Sequence, residues 1–469
     1  MSSAKTQPAR GMRDFLPAEV RKREYVIRII KEVYERYGFE PLETPAVENI
    51  ETLMGKYGEE GNKLIFKISK RGLPDPPEGE EPEYDLALRY DLTVPLARVV
   101  AHYQNELSNF FKRYQIQPVW RADRPQKGRF REFYQCDVDV LGSRSMIVEA
   151  ELISAASDAL EALGFDDFMI RLNHRQVLTG ILDQAGVFPD KHAATLIAVD
   201  KLDKVGSREV DKELAACGIS DRARERLLDF FAVKSVERAV RLAPEEATSF
   251  EGEAFNAAVL GRLVEFVGAH EIGAKGVDDL RQILQFAKAS GVDQRIKLDP
   301  TLARGLAYYT GAIIEINVTD LAGSLGGGGR YDNLVGMFLG KDVPACGFSL
   351  GLERIIVVMS ERKMFPTALV SSPAEVMVTI WSEDSVDDAI ALATELRSTG
   401  LCVDLYPEAD KLAKQFKYAS SRGIPYVTVV GDDERARGEV AIKDMQTGEQ
   451  KSVKRADAAD KLREALTSV

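Results

Sequence analysis

The sequence predicts an α+β protein: a core domain with an antiparallel sheet, a helical insertion within it, and a C-terminal α/β domain. Three observations carry this. Strand-like runs alternate with hairpin loops between residues 86 and 141, the pattern of antiparallel pairing. Residues 190–295 are acidic, helix-rich and almost free of strand signals. Beyond residue 373 strand and helix alternate, which argues a small α/β layer. A chain of 469 residues has room for two or three domains of roughly 100–200 residues each.

Taken in order, Val26, Ile29, Ile30, Val33 and Tyr37 recur at helical spacing, and Gly38 ends that helix. Phe39 to Ala46 is extended, but Pro41 and Pro45 suit an edge and not a central strand. Residues 73–83, rich in Pro, Gly and Glu, make a loop. A strand at Leu86–Tyr90, a helix from about Thr93 and strands at 111–121 and 131–141 come next. An amphipathic helix is expected over 146–163, and strand signals return at 311–318 before the run Gly326–Gly329. Residues 364–373 read as a linker. Beyond it come strands at Val376–Trp381, Cys402–Leu405 and Tyr426–Val430, with helices at 385–399 and 409–421. The expected boundaries are a core of 1–190 plus 296–365, an insertion of 191–295 and a C-terminal domain of 373–469.

The net charge of −12, from 62 basic and 74 acidic side chains, counts against a generally basic nucleic-acid coat protein. It leaves room for a local basic surface that neutralises phosphates. Cys136, Cys217, Cys346 and Cys402 form no Cys-x-x-Cys pair, so neither a zinc site nor a disulfide framework is expected. Met1–Arg10 is polar, with no signal peptide visible. Without an apolar run of about 18 residues no membrane span is expected, and the simplest compartment is the cytoplasm.

Three segments bear chemistry. In Phe111–Phe133 two extended runs flank a basic loop with Arg124, Lys127, Gly128, Arg129 and Arg131. Arginine grips phosphate with a planar, bidentate fork, so the loop reads either as a triphosphate cradle or as a solvated basic turn. Gly347–Arg354 places an arginine at the start of a helix, where it caps the surface or stacks on a nucleotide base. Arg304–Gly311 is followed by Gly326-Gly-Gly-Gly-Arg-Tyr-Asp332, which lacks the Gly-Lys-Ser/Thr ending of a P-loop. By itself the glycine run reads as a flexible turn, although glycine also lets a backbone approach a ligand closely.

In their order these segments resemble the histidyl-tRNA synthetase family, within the class II aminoacyl-tRNA synthetases. The resemblance runs from Gly11-Met-Arg-Asp-Phe-Leu-Pro17 through nearly the whole chain. The helix 19–37 with Pro45 looks like the first class motif, Trp120–Phe133 like the second and Gly351–Arg354 like the third. Arg304–Gly311, Gly327–Asp332 and Val199–Lys204 look like stretches specific to the histidine enzymes.

The resemblance implies an antiparallel sheet flanked by helices, a helical insertion, a C-terminal anticodon-binding domain and a homodimer joined at the first motif. It implies that ATP and histidine react to histidyl-adenylate, and that histidine then passes to its tRNA. Arg121 would hold the α-phosphate, Arg129 would reach the γ-phosphate, and Phe133 and Arg354 would sandwich adenine. Mg2+ would bridge the phosphates, with no protein metal ligand assigned. Asp91, Thr93 and Gln135 match positions that bind the amino group. Asp139 and Tyr309 match those that bind imidazole, with Tyr308 nearby. Arg304 would sit over the reacting carboxylate and α-phosphate. Lys411, Lys414 and Lys417 would meet the tRNA anticodon arm; a solvated helix face is the plain alternative. Adjacent residues of a strand face opposite sides, so one of Tyr308 and Tyr309 is expected in the core, and Thr93 has a second reading as a helix cap.

Two departures stand out. Tyr90-Asp-Leu-Thr93 replaces the Pro-Glu-Gly-Thr of many bacterial members, and Asp123 stands where many class members have glutamate. The chief rival is a catalytically silent relative that regulates a histidine-biosynthesis enzyme. Such relatives tend to lose the class arginines, which Arg121, Arg304 and Arg354 retain here. A synthetase for another amino acid is opposed by Arg304–Gly311, and a pure tRNA-binding module by the ATP residues.

Overall fold

The computed structural model describes residues 6–72, 77, 81–126, 128–231, 252–303, 308–366, 369 and 372–467. They fall into two compact units. One spans 23–364 and takes the described residues before 16, and the other spans 365–469 and takes 16–22.

The first unit is built on an eight-stranded sheet. Its strands are β1 (Glu40–Pro41), β5 (Phe111–Trp120), β6 (Glu132–Leu141), β7 (Met169–His174), β8 (Ile296–Leu298), β9 (Ala312–Asn317), β10 (Ser324–Arg330) and β11 (Ala345–Gly351). Their order is β1-β5-β6-β11-β10-β9-β7-β8. The six inner strands pair antiparallel, and the two edge pairs, β1–β5 and β7–β8, are parallel. A smaller sheet joins β2 (Val47–Asn49), β3 (Lys67–Ser69) and β4 (Tyr84–Leu88) in the order β2-β4-β3.

Alternation along β6 divides the sheet into two faces. Cys136, Val138 and Val140 bury against apolar neighbours. Gln135, Asp137 and Asp139 point to the opposite face, since successive side chains alternate. The register places Gln117, Gln115 and Arg113 of β5 beside them, with Gly351, Ser349 and Gly347 of β11 on the other side.

The run Gly326–Gly329 is not a flexible turn. It lies in β10, paired on both flanks with β9 and β11. Glycine weakens a strand on its own account, so the reason for it here is steric. A Cβ on Gly326 would lie 2.6 Å from the Ser349 carbonyl oxygen, and one on Gly328 would overlap that of Gly347.

The helices of this unit are α1 (Pro17–Arg36) from residue 23 onward, α2 (Thr93–His102), α3 (Ile147–Ala162) and α4 (Arg175–Ala185). The chain continues through α5 (His192–Val199), α6 (Ser207–Ala216), α7 (Asp221–Phe231), α8 (Gly252–Val267) and α9 (Glu271–Ala289), then α10 (Leu352–Glu361) after β11. α1 buries Val26, Ile30, Val33 and Tyr34 at helical spacing. Among the described residues between 192 and 289 there is no strand.

The second unit has a five-stranded sheet ordered β13-β12-β14-β15-β16. These are β12 (Val376–Val378), β13 (Val403–Leu405), β14 (Tyr426–Val429), β15 (Glu439–Asp444) and β16 (Gln450–Lys454). Helices α11 (Val386–Ser398), α12 (Leu412–Ser421) and α13 (Ala458–Thr467) accompany it. Val376, Val378, Leu392, Leu396, Val440 and Leu462 fill its core. The helix expected from 409 starts at Leu412, so Lys411 precedes it at the cap. No described helix is long and apolar enough to cross a membrane.

His174 ends β7 and caps α4, its Nδ1 accepting the Gln176 N–H at 3.3 Å. Gly276 of α9 comes so close that a Cβ there would lie 2.8 Å from that nitrogen. Burial first, then the positive Lys275 and Arg330, push the imidazole down to about 3. Asp279 lies 3.5 Å from Nε2 but is itself neutralised by Lys275 at 2.8 Å. A folded value below the unfolded one, ~6.5, means that the unfolded chain binds more protons between those limits. Stability present at neutral pH is therefore lost as pH falls from 6.5 toward 3, by up to about 1.4 kcal/mol per unit. In melts from pH 7 to 4, a His174→Gln variant should lose stability less steeply than the parent chain; parallel slopes would remove this account.

Candidate active site

The polar sheet face, the N-terminus of α2, the hairpin 121–131 and the start of α10 enclose an open cavity of about 1620 Å3. Asp91, Thr93, Arg121, Arg129, Phe133, Gln135, Asp139, Tyr308, Tyr309 and Arg354 all line it. Arg304 and Lys127 lie outside the described residues.

Asp91 is held from three sides. Its Oδ1 accepts from Tyr57 Oη at 2.9 Å and from the Val94 N–H at 3.1 Å, and its Oδ2 accepts from Tyr308 Oη at 3.1 Å. Asp91, one residue before the cap position Leu92, thus satisfies a free N–H in the first turn of α2; Thr93 is the helix's first residue, and its side chain bonds Tyr308. Burial raises the Asp91 carboxyl, while the Val94 N–H, Arg121 and the two phenols oppose the rise.

Both Tyr308 and Tyr309 line the cavity, ring centroids 5.3 Å apart and edge to face, and of the two only Tyr308 belongs to the buried core, as expected. Alternation does not apply to them because β9 begins only at Ala312. Burial, then nearby Cys346 and the acids Asp137, Asp139 and Asp91, raise the Tyr309 phenol.

Asp139 is 2% exposed. Its Oδ1 accepts from Tyr331 Oη, and its Oδ2 lies 2.8 Å from Arg113 Nη2. The latter is an ion-pair contact without an aligned N–H, since Oδ2 takes part in no hydrogen bond. Gly347 makes room for this side chain, because a Cβ there would overlap Oδ1.

At the other end of the cavity are the arginines. The hairpin closes by mutual backbone bonds between Gln126 and Arg129 at 3.0 and 2.9 Å, with Gly128 at φ 71°. Arg129 forks onto Asp123 at 3.1 and 3.0 Å, so the loop is neither wholly solvated nor wholly unpaired. Arg121 donates to the Tyr90 carbonyl at 3.0 Å, and its guanidinium carbon lies 4.3 Å from the Tyr90 ring and 5.1 Å from that of Phe133. Arg354 donates to the Ser324 carbonyl. Its neighbour Glu353 accepts from Arg23 at 2.8 Å and from the Tyr134 N–H at 2.9 Å, which ties α1, β6 and α10 together.

In the second unit Lys411, Lys414 and Lys417 are exposed, and Lys414 is ion-paired with Asp410.

Comparison with known proteins bears on this arrangement. The family described as histidyl-tRNA synthetase matches residues 11–355, and an anticodon binding domain matches 375–465. A histidine–tRNA ligase of Porphyromonas gingivalis is 43% identical over 466 residues, covering 96% of this chain and 97% of its own length.

The chain belongs to the histidyl-tRNA synthetase family.

The crystal structure of histidyl-tRNA synthetase from Nostoc sp. PCC 7120 aligns at TM-score 0.78 and 32% identity, covering 98% of this chain and 99% of that one. A Bacillus halodurans structure described as an ATP phosphoribosyltransferase regulatory subunit/histidyl-tRNA synthetase aligns at TM-score 0.68 over 89% of this chain and 96% of that one. At 20% identity it speaks of the fold alone. Within this synthetase cavity, Tyr57, Asp137, Tyr331 and Ser349 were passed over by sequence reasoning, as was Arg113 buried behind Asp139. Period-two spacing from Gln135 and Asp139 would have found Asp137.

Gly347→Ala must displace Asp139. Expected is at least a tenfold rise in the histidine concentration needed for half-maximal ATP–pyrophosphate exchange, with the melting transition retained. An unchanged histidine requirement would show that Asp139's position does not matter to binding.

Proposed function

We propose that the chain activates histidine with ATP and transfers it to the 3′ end of histidine tRNA, acting in the cytoplasm as a homodimer. The observation that carries this reading is the pairing, within one cavity, of an arginine-lined end with a buried carboxylate-and-phenol end. The first suits a triphosphate, the second an amino acid with a charged amino group and a polar ring.

In the first step a carboxylate oxygen of histidine attacks the α-phosphorus and pyrophosphate leaves. Arg121 holds the α-phosphate, Arg129 reaches the γ-phosphate, and Phe133 and Arg354 enclose adenine by stacking and cation–π contact. The Arg129–Asp123 pair gives that guanidinium a resting partner to exchange for phosphate. Arg304, outside the described residues, would by the resemblance serve the carboxylate and α-phosphate, where a fixed guanidinium stabilises developing charge better than mobile water. Asp91, Thr93 and Gln135 take the amino group; Asp139 and Tyr309 take the imidazole, with Tyr308 positioning Asp91. Polar readout of this kind rejects apolar analogues by ~10⁴–10⁵ without editing.

Among the described residues no cluster of three or more His, Cys, Asp or Glu is placed to hold a metal. Magnesium on nucleotide phosphates takes only one or two protein carboxylates, so a cluster of that size is not required to hold it. When bound, it neutralises phosphate charge.

In the second step the terminal ribose hydroxyl of the tRNA attacks the activated carbonyl and AMP leaves. Residues 1–190 and 296–365 act as the catalytic core, 191–295 as the insertion and 373–469 as the anticodon-binding domain. In that last domain Lys411 and Lys417, with Lys414 in exchange with Asp410, meet the anticodon arm. α1 forms the dimer seam.

Pyrophosphate exchange with each amino acid in turn, without tRNA, should depend on histidine alone, and Arg304→Ala should lower it by ~10² or more. Folded protein that exchanges with no amino acid would favour the regulatory-subunit reading, and exchange with a different one would overturn the roles of Asp139 and Tyr309.

A further inference from the structure

Arg89 has no part in the roles above, yet it is a buried cation, 1% exposed. It lies just past the end of β4, where the chain leaves the small sheet and carries Tyr90 and Asp91 to the cavity. Its guanidinium donates to uncharged acceptors on two other segments. Nη1 donates to the Thr44 and Pro45 carbonyls and, at 2.9 Å, to Gln117 Oε1; Nε donates to the Pro118 carbonyl at 2.9 Å. Its backbone repeats the pattern. The Arg89 N–H donates to the Ala46 carbonyl at 3.0 Å, and the Arg89 carbonyl accepts the Trp120 N–H at 3.1 Å. A planar fork of N–H donors can span two segments at once, where an ammonium acts from a single point. Arg89 thus clamps the end of β5 both to the turn at Thr44–Pro45 and to the end of β4.

Arg121 stands immediately beyond that clamp. It follows Trp120 in the chain, and its Nε donates to the carbonyl of Tyr90, the residue after Arg89. The segment that carries Arg121 and the carbonyl that holds it are therefore set against each other by Arg89. Asp91 has supports of its own, in Tyr57, Tyr308 and the Val94 N–H. We infer that Arg89 is a positioning residue for adenylate formation: it touches no substrate, but it aims Arg121 at the α-phosphate and leaves the histidine end of the cavity to its separate supports. This rests on the activity proposed above. A displacement of ~1 Å caused from outside the chemistry can cost ~10²-fold in rate, so a clamp of this kind has a kinetic signature distinct from a loss of fold.

The test is histidine-dependent pyrophosphate exchange by an Arg89→Lys variant, which keeps the charge and loses the fork. Expected is a fall in kcat of about tenfold or more, with the KM for histidine within about twofold of the parent and the melting transition retained. Exchange with the two α-thio diastereomers of ATP reports on the aim of Arg121. Arg89→Lys should change the preference between them, Arg121→Lys should change it too, and the doubly substituted chain should differ little from Arg121→Lys alone, the sign of two residues acting as one unit. A merely structural Arg89 would slow both diastereomers equally, and its loss would add to that of Arg121; either result overturns the inference. Gln117→Met removes one acceptor from the clamp and should show the same split in smaller measure, which keeps the test decisive where Arg89→Lys does not fold. Parent-like kinetics in folded Arg89→Lys, or in Gln117→Met where Arg89→Lys does not fold, sink this inference alone. Parent protein that exchanges nothing sinks the activity reading and this inference with it.

Discussion

Arg330 donates from Nε at 2.6 Å and Nη2 at 2.8 Å to the two oxygens of Glu149, with side chains only 5% and 0% exposed. The same guanidinium reaches the Ser143 carbonyl at 2.9 Å and Asp332 at 3.2 Å. Removing one partner of such a pair would strand a charge in the interior at a cost of about 3–5 kcal/mol, so the end of β10 is pinned to α3. The residues next along the chain inherit that fixity. Tyr331 bonds Asp139, and Asp332 accepts the Ala345 N–H at 3.0 Å where β11 begins. Thr310 donates its N–H to the Arg330 carbonyl at 2.8 Å, and Gly311 lies so close to the Arg330 side chain that a Cβ would meet it at 2.9 Å. Tyr308 and Tyr309 stand just before that contact. Half of the cavity wall is therefore set by one buried ion pair.

The other half is set by a sheet face that is polar although buried. Arg113, Gln115, Asp137 and Asp139 are each no more than 2% exposed. Such groups persist in an interior only when partnered or when a ligand completes them. Unsatisfied buried atoms concentrate on this face, at Arg113, Gln115, Gln135, Asp137 and Asp139, while those at Ser157, Gln176, Asn317 and Asp388 lie apart. The glycines of β10 and β11 answer the same need from the opposite side, since any side chain at 326, 328 or 347 would fill the space that the strands or acids occupy.

Much of this was legible in the sequence because long elements carry strong periodicity. α1, β5, β6 and α3 begin and end within two residues of expectation. Glycine at 326–329 misled because its local preference is for turns, and only flanking β9 and β11, distant in sequence, make it a strand. For Tyr308 and Tyr309 the expected outcome, one of them in the core, holds for Tyr308, although alternation is not its cause because the strand begins only at Ala312. The short strands β2, β3 and β8 bury too little apolar surface to leave a pattern. Arg113 and Asp137 escaped notice because a charged residue within a strand looks solvent-facing until the second layer is known. The ten cavity residues found by resemblance came from motif order, which composition alone does not contain.

β7 and β8 pair side by side and parallel, Ile170 against Ile296, although 120-odd residues of mostly helical chain lie between them. That excursion leaves the sheet and returns to it one strand spacing away, about 4.8 Å. Closing a flexible connection costs only ~0.6 kcal/mol for each doubling of its length. The edge of the sheet is accordingly indifferent to how long the detour is. Evolution is free to enlarge, trim or exchange the later part of the helical segment, while its opening stretch, where His192, Leu196 and Lys201 line the cavity, stays in register with the chemistry.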